Sequence, residues 1–124
     1  MYWTDWGSHP KIERAEMTGK QRIVLVGSGL GWPNGLTVDR GKHRLYWVDA
    51  QNDKLEYLDL NSNNRVTLIQ SSVFLYHPFG LTLLDDHLYW TDWHSETVFR
   101  ANIETGGGVT LFISAFGQIG RAHV

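Results

Sequence analysis

An all-β fold built from repeated small sheets is predicted for this chain of 124 residues. The first observation is a repeat: Tyr-Trp-Thr-Asp at residues 2–5 recurs at residues 89–92, and Tyr-Trp-Val-Asp stands between them at residues 46–49. The second is that short runs rich in β-branched and aromatic residues alternate with Gly, Asn, Asp and Ser, which is typical of strands joined by tight turns. The third is that no segment carries apolar residues at sustained helical spacing.

Each repeat has the size of four short strands. In the middle repeat we expect strands at residues 36–38, 44–49, 54–58 and 65–69, each followed by turn residues. The motifs are 44 and 43 residues apart, and four strands in such a period are typical of a propeller blade. The strand at residues 88–93 carries aromatic side chains on both faces, so both faces need burial, which favours stacked blades over a sandwich.

The composition excludes several classes of protein. A formal net charge of −2 at pH 7 does not suit a nucleic-acid-binding protein, and no apolar run is long enough to span a bilayer. The lack of cysteine excludes a disulfide scaffold and thiol chemistry, but it leaves an extracellular location open because a large enough β core needs no disulfides. A hydrophobic content of 42% is too high for a disordered segment.

The motif and its spacing resemble the YWTD, or class B, repeats of the low-density-lipoprotein receptor family, which form six-bladed β-propellers. The resemblance covers residues 1–118 and implies a partial propeller of about three blades, so we expect the chain to be a fragment that needs further blades to close a ring. Val48 stands where the motif has Thr, which exchanges a hydroxyl for a methyl group and leaves the resemblance intact. Residues 119–124 match no repeat position, and we expect them to be a non-native tail.

The repeated motif residues are expected to be structural. Equivalent acids in successive blades are separated by rotation about the ring axis, which disfavours a catalytic carboxylate pair. We expect each acid instead to accept hydrogen bonds from backbone N–H groups at a strand end. The aromatic pairs are expected to fill the core between blades, with stacking on carbohydrate as a secondary alternative. The acids are Asp5, Asp49 and Asp92, and the aromatic pairs are Tyr2 and Trp3, Tyr46 and Trp47, and Tyr89 and Trp90.

No catalytic group, metal ion or cofactor is predicted. The six histidines include no tight pair of ligands on one element, so a zinc site has little support. The glycine-rich residues 27–31 precede a turn rather than a helix, so no helix N-terminus is available to hold a phosphate group.

Aromatic and polar side chains in the connecting loops are the candidates for a binding site. Loops at one end of a propeller converge around the central channel, and Trp and His are suited to anchor a protein interface. The alternative, which composition alone leaves equally open, is that the tryptophans only cover the blade edges. We assign Trp32 and Asn34 to the loop that enters one blade, and His77 and Phe79 to the matching loop of the next. The candidate residues are Trp32, Asn34, His77 and Trp93, with Trp6 as a weaker member.

Several longer segments resemble one subgroup of this family in particular. Residues 1–7, 10–15, 32–37 and 77–79 are similar to the later blades of the Wnt co-receptor subgroup of this receptor family, and the related agrin-binding receptor of synapses shares similar segments. That resemblance implies a non-enzymatic, extracellular domain of a membrane-anchored receptor, whose upper face binds Wnt proteins or their secreted antagonists. The alternatives are nidogen-like basement-membrane binding, in a secreted matrix protein, and the propeller of an endocytic lipoprotein receptor. A propeller hydrolase, the rival from another class, normally holds a metal in its central channel, and the repeated motif argues against it.

Overall fold

A computed structural model describes residues 1–113, which form eleven β-strands in three antiparallel sheets. Sheet 1 contains β1 (Tyr2–Asp5), β2 (Lys11–Arg14) and β3 (Ile23–Val26). Sheet 2 contains β4 (Pro33–Asp39), β5 (Arg44–Asp49), β6 (Lys54–Asp59) and β7 (Arg65–Gln70). Sheet 3 contains β8 (Pro78–Leu84), β9 (His87–Asp92), β10 (Thr97–Asn102) and β11 (Thr110–Ile113). The last residues of the expected propeller, 114–118, and the expected tail at 119–124 lie outside the described residues.

Each sheet is a meander in which consecutive strands pair, and the all-β prediction is confirmed. In the middle repeat, β5 has the expected bounds, whereas β6 and β7 each extend one residue further than expected, to Asp59 and Gln70. β4 begins three residues earlier than expected, at Pro33, because its first part pairs with β5 through a bulge.

Two residues that were expected in loops lie in bulged strands. The register between β4 and β5 shifts between Pro33 and Leu36, so Asn34 lies inside a bulged strand. β8 repeats this shift at its own start, where Phe79 takes the equivalent place. The assignment of Asn34 and Phe79 to loops is therefore wrong. A bulge bends a strand and redirects its side chains, which is how these residues still reach the end of the sheet.

Tyr46 and Trp47 show how the three sheets stack. Successive side chains of a strand point to opposite faces, and these two neighbours are both fully buried. Trp47 packs in one cluster with Ile12 of sheet 1. Tyr46 packs in a second cluster with Leu88 of sheet 3. Sheet 2 is therefore covered on both faces, as stacked blades require.

The aromatic motif residues of sheets 1 and 3 differ in how far they are buried. Trp90 is buried against sheet 2, and Tyr2 is half-buried on the face of sheet 1 that packs against sheet 2. Trp3 and Tyr89 lie on the opposite faces of their strands and are also only half-buried. Neither Trp3 nor Tyr89 occupies the core position between two blades that the sequence predicted, because no sheet within residues 1–113 stacks on those faces.

The edge strands β4 of sheet 2 and β8 of sheet 3 approach each other closely at Gly35. A Cβ atom at this position would lie 2.7 Å from both the backbone nitrogen of Leu81 and the carbonyl oxygen of Phe79. Any side chain would therefore force the two strands apart. The contact brings the start of β4 beside the start of β8. We call this end of the sheets, where β4 and β8 begin and β5 and β9 end, the upper end.

Candidate ligand-binding surface

The connection that enters sheet 2 is fixed by the motif acid Asp49. Its buried carboxylate accepts hydrogen bonds from the backbone N–H groups of Gly31 at 2.8 Å and Trp32 at 3.0 Å. It also accepts hydrogen bonds from the N–H groups of Gln51 and Asn52, at 3.0 and 3.1 Å. One carboxylate therefore ties together two connections at the upper end.

Asp92 has the same role in sheet 3. Its buried carboxylate accepts hydrogen bonds from the backbone N–H groups of His77 at 3.1 Å, His94 at 2.9 Å and Ser95 at 3.2 Å. Asp5, the motif acid of sheet 1, is half-buried at the end of β1. Asp49 and Asp92 satisfy backbone donors at strand ends, which makes them structural anchors rather than free carboxylates.

Three candidate residues present large, exposed indole rings at the upper end. Trp6 and Trp93 directly follow the motif acids at the ends of β1 and β9, and Trp32 directly precedes β4. Their exposed fractions are 51%, 62% and 47% respectively. Tryptophan is highly buried on average, so three such rings at one end of the sheets are an unusual concentration of exposed aromatic area.

Trp93 belongs to an aromatic cluster. It stacks on Phe79, with ring centroids 4.6 Å apart and planes inclined by 22°. The His77 ring lies 5.7 Å from the same indole, and the Trp93 backbone N–H donates to the carbonyl oxygen of His77 at 3.1 Å. Tyr76 and His94 form a further ring pair, with centroids 4.2 Å apart. The structure thus brings the candidates His77 and Trp93 into direct contact.

Trp6 and Asn34 join neighbouring sheets. Trp6 Nε1 donates to the carbonyl oxygen of Pro33 at 3.0 Å, which links sheet 1 to sheet 2. Asn34 Nδ2 donates to the carbonyl oxygen of Pro78 at 2.7 Å, which links sheet 2 to sheet 3. Asn34 Oδ1 is buried and has no hydrogen-bond partner within residues 1–113. The Asn34 amide therefore serves an inter-sheet contact, whereas the Trp6 ring remains half exposed.

Five of these residues lie at the upper end of the sheets. We call Trp6, Trp32, His77, Phe79 and Trp93 the upper aromatic surface, since all five lie at the upper end on or beside backbone that is fixed by inter-strand or carboxylate hydrogen bonds. Exposed rings on fixed backbone can bury apolar area against a partner without much reordering, so the arrangement suits non-covalent recognition.

Two ion pairs with buried glutamates were not predicted from the sequence. Glu13 in β2 and Glu56 in β6 each bind an arginine, Arg22 and Arg65 respectively. Both the acids and the arginines repeat at an offset of 43 residues, and that spacing is the signal that could have revealed them. The hydrogen bonds from Arg22 lower the pKa of Glu13 below its ordinary value of 4.5, although burial of the carboxyl acts in the opposite direction.

The described residues contain neither a metal-binding group of side chains nor a membrane-spanning helix. Within residues 1–113, no group of three or more His, Asp or Glu side chains is arranged to hold a metal ion. The same part of the chain contains no helix of the length and apolarity needed to cross a membrane.

The stacked sheets and the repeated Tyr-Trp-x-Asp strand define the chain as part of a YWTD-type β-propeller. The structure matches a chain of a nidogen/laminin complex with a TM-score of 0.78 and 35% sequence identity. The match covers 90% of this chain and 41% of that one, which confirms the predicted partial propeller. Residues 1–40 and 43–83 match the family model for the low-density lipoprotein receptor repeat class B. The chain belongs to this family.

Curated relatives of the chain include receptors. The human low-density lipoprotein receptor-related protein 5-like protein is 43% identical over 101 residues, which are 82% of this chain and 39% of the relative. The vitellogenin receptor Yl of Drosophila melanogaster is 39% identical over 106 residues, which are 86% of this chain and 5% of that receptor. The chain therefore spans well under half the length of these curated relatives.

Proposed function

We propose that this chain is part of an extracellular receptor propeller and that it binds a secreted protein through the upper aromatic surface. The observation that carries the proposal is the exposure of three indole rings, those of Trp6, Trp32 and Trp93, at one end of the sheets. Aromatic residues that become buried account for much of the binding energy of protein interfaces. A nucleic acid would instead require clustered positive charge to neutralise its phosphates.

The backbone beneath the rings supports the same proposal. Asp49 holds the N–H group of Trp32, and Asp92 holds that of His77, so the connections that carry these side chains are fixed in the free protein. A fixed surface loses little conformational freedom when it binds, and more of the contact energy is then retained as affinity.

Wnt proteins or their secreted antagonists are the partner class in this proposal. Similarity to the human receptor-related protein 5-like protein, at 43% identity, supports this choice together with the strings shared with the Wnt co-receptor subgroup. The parent protein would be anchored in the plasma membrane, with this domain outside the cell. Further blades would complete the ring and contribute the rest of the ligand surface.

Two alternative functions have an observation in their favour. The superposition on a chain of a nidogen/laminin complex, with a TM-score of 0.78, favours nidogen-like binding in the basement membrane by a secreted matrix protein. The similarity to a vitellogenin receptor favours the propeller of an endocytic lipoprotein receptor. Both would use a protein ligand, so they differ from the first candidate in the partner and not in the kind of site.

We further propose that the domain is not an enzyme. Two of the three motif acids at the upper end, Asp49 and Asp92, each already accept at least three backbone hydrogen bonds. Such carboxylates are poorly placed to act as a general base or to ligate a metal. Metal analysis of the purified chain tests the rival function, because a stoichiometric, tightly held metal would favour a propeller hydrolase.

A binding panel on an immobilised intact propeller that includes this chain tests the proposed function. A secreted Wnt antagonist, a laminin fragment and vitellogenin are titrated separately over the wild-type chain and the double variant Trp32→Ala/Trp93→Ala. We expect the antagonist to bind the wild-type chain, and the double variant to bind at least roughly tenfold more weakly. Binding of laminin or vitellogenin alone would favour the corresponding alternative.

Met17→Ala is the matched control for this panel. Met17 is 84% exposed, but it lies in the connection between β2 and β3, at the opposite end of the sheets from the tryptophans. Its substitution removes an exposed apolar side chain and should leave the affinity unchanged. If the double tryptophan variant binds as well as this control, the upper aromatic surface is not the binding site.

A further inference from the structure

Arg65 connects two segments that are far apart in the sequence. It begins β7, one of the two edge strands of sheet 2, and its Nε donates to Glu56 Oε2 at 2.5 Å. Its terminal nitrogens reach the connection that enters the same sheet: Nη1 donates to the carbonyl oxygen of Ser28 at 2.6 Å, and Nη2 donates to that of Gly29 at 2.9 Å. The guanidinium also lies over the Trp47 ring, 5.5 Å from its centroid.

The ion pair orients the guanidinium for this contact. The Glu56 side chain is only 3% exposed, so its carboxylate holds the Nε side of the guanidinium in place while the terminal nitrogens face the two carbonyl groups. Arginine offers a rigid planar set of donors, whereas lysine offers a single ammonium group that cannot keep this geometry. Gly29 has a φ of +68°, and a Cβ atom there would lie 3.2 Å from Arg65 Nη1. Glycine thus permits both the turn and the close contact.

The other two sheets provide an internal comparison. Arg22 takes the equivalent place in sheet 1, but its described hydrogen bonds go to the side chain of Glu13 alone. In sheet 3, Phe99 replaces the glutamate opposite Trp90, and Trp90 Nε1 donates to the carbonyl oxygen of Phe74 at 2.8 Å. The connection that enters sheet 3 is therefore held by an indole, and the connection that enters sheet 2 is held by an arginine.

We propose that Arg65 is a positioning residue of the upper aromatic surface. By holding the carbonyl groups of Ser28 and Gly29, it fixes the connection whose last residue is Trp32, and so it sets the orientation of that ring. Asp49 holds the other part of the same connection through the N–H group of Trp32. The inference rests on the proposed function, because the orientation of Trp32 affects affinity only if Trp32 contacts the ligand.

A double-mutant cycle tests this role. Arg65→Gln and Trp32→Ala are made singly and together, and the affinity of each chain for a secreted Wnt antagonist is measured. Because Arg65 acts through Trp32, we expect Arg65→Gln to weaken binding about fivefold alone and by less than about 1.5-fold when Trp32 is already alanine. Equal weakening in both backgrounds, or no weakening in either, overturns the proposal.

Arg22→Gln is the matched control. It removes the same kind of bond to a buried glutamate, so its melting temperature should fall about as far as that of Arg65→Gln, but its affinity should stay within about twofold of wild type. Arg65→Lys keeps a positive charge beside Glu56 and loses the planar set of donors, and we expect its affinity to lie between those of wild type and Arg65→Gln. If Arg65→Gln does not fold, Arg65→Lys takes its place in the cycle.

Amide hydrogen exchange gives a readout that needs no ligand. The N–H groups of Gly31 and Trp32 should exchange faster in the Arg65 variant, whereas the N–H group of His77, which Asp92 holds, should keep its wild-type rate. Equal acceleration at all three amides would mean general destabilisation and would overturn the positioning role. If Trp32→Ala leaves affinity unchanged, the proposed function fails, while the exchange rates still decide whether Arg65 holds the connection.

Discussion

Tyr46 and Trp47 are neighbours in β5 whose side chains are buried in two different cores, one against sheet 3 and one against sheet 1. The equivalent strands of the outer sheets each supply one ring to these cores: Tyr2 of β1 packs in the cluster of Trp47, and Trp90 of β9 packs in the cluster of Tyr46. Only in sheet 2 do both cores lie within residues 1–113. This alternation explains how a short repeated motif can join successive sheets of one propeller.

Trp47→Ala should unfold the chain or lower its stability severely. Trp47 is fully buried between sheets 1 and 2, and its truncation opens a large cavity, which typically costs about 3–5 kcal/mol. Trp93→Ala is the control, because the Trp93 ring is 62% exposed and leaves no enclosed cavity. Thermal unfolding followed by circular dichroism measures both. Similar melting temperatures for the two variants would contradict the assignment of Trp47 to the core.

Asn34→Asp should be less stable than wild type. The Asn34 amide donates to the carbonyl oxygen of Pro78, and a carboxylate would replace that donor with a second acceptor facing the same oxygen. We expect a loss of about 1–3 kcal/mol, measured by urea unfolding, with Asn34→Ala nearer the lower figure. An Asn34→Asp chain as stable as wild type would show that this bond does not hold sheets 2 and 3 together.

The repeat predicted the strands better than it predicted the contacts between sheets. One period contains the strand lengths and turns, so β5 was predicted with its observed bounds. The hydrogen bond from Asn34 to Pro78 and the contact of Arg65 with the connection at Ser28 and Gly29 depend on how one sheet is rotated against the next. That rotation is not encoded in any single motif. Trp6, Trp32 and Trp93 could be predicted as candidates, but their exposure required the packed sheets.

Stability should fall in acid partly through Glu13. Hydrogen bonds from Arg22 lower the pKa of Glu13 in the folded chain below 4.5. Its contribution is therefore complete above pH 4.5 and is lost as the pH falls through the lowered folded-state pKa. Glu13→Gln removes this titration, so its melting temperature should fall less steeply than that of wild type between about pH 5 and pH 2. If the melting temperatures of Glu13→Gln and wild type fell equally steeply with pH across that range, the role of Glu13 would be contradicted.

Residues 1–118 should associate when expressed alone. The outer face of sheet 3 contains a groove lined in part by Tyr89, Thr91 and Val98, and exposed apolar faces tend to associate. Light scattering should show oligomers or aggregates, and Val98→Lys should reduce them by placing a charge in the groove. A monodisperse monomer that melts cooperatively would show that these faces do not drive association.

The affinity of Trp32→Ala, measured together with its melting temperature, tests the proposed binding surface most directly. Within an intact propeller, calorimetric titration of Trp32→Ala with a secreted Wnt antagonist should give a Kd more than about tenfold above that of wild type. Because the Trp32 ring is 47% exposed, the melting temperature should stay close to that of wild type. An unchanged Kd, with a melting temperature as low as that of Trp47→Ala, would instead assign Trp32 to the core and contradict the binding surface.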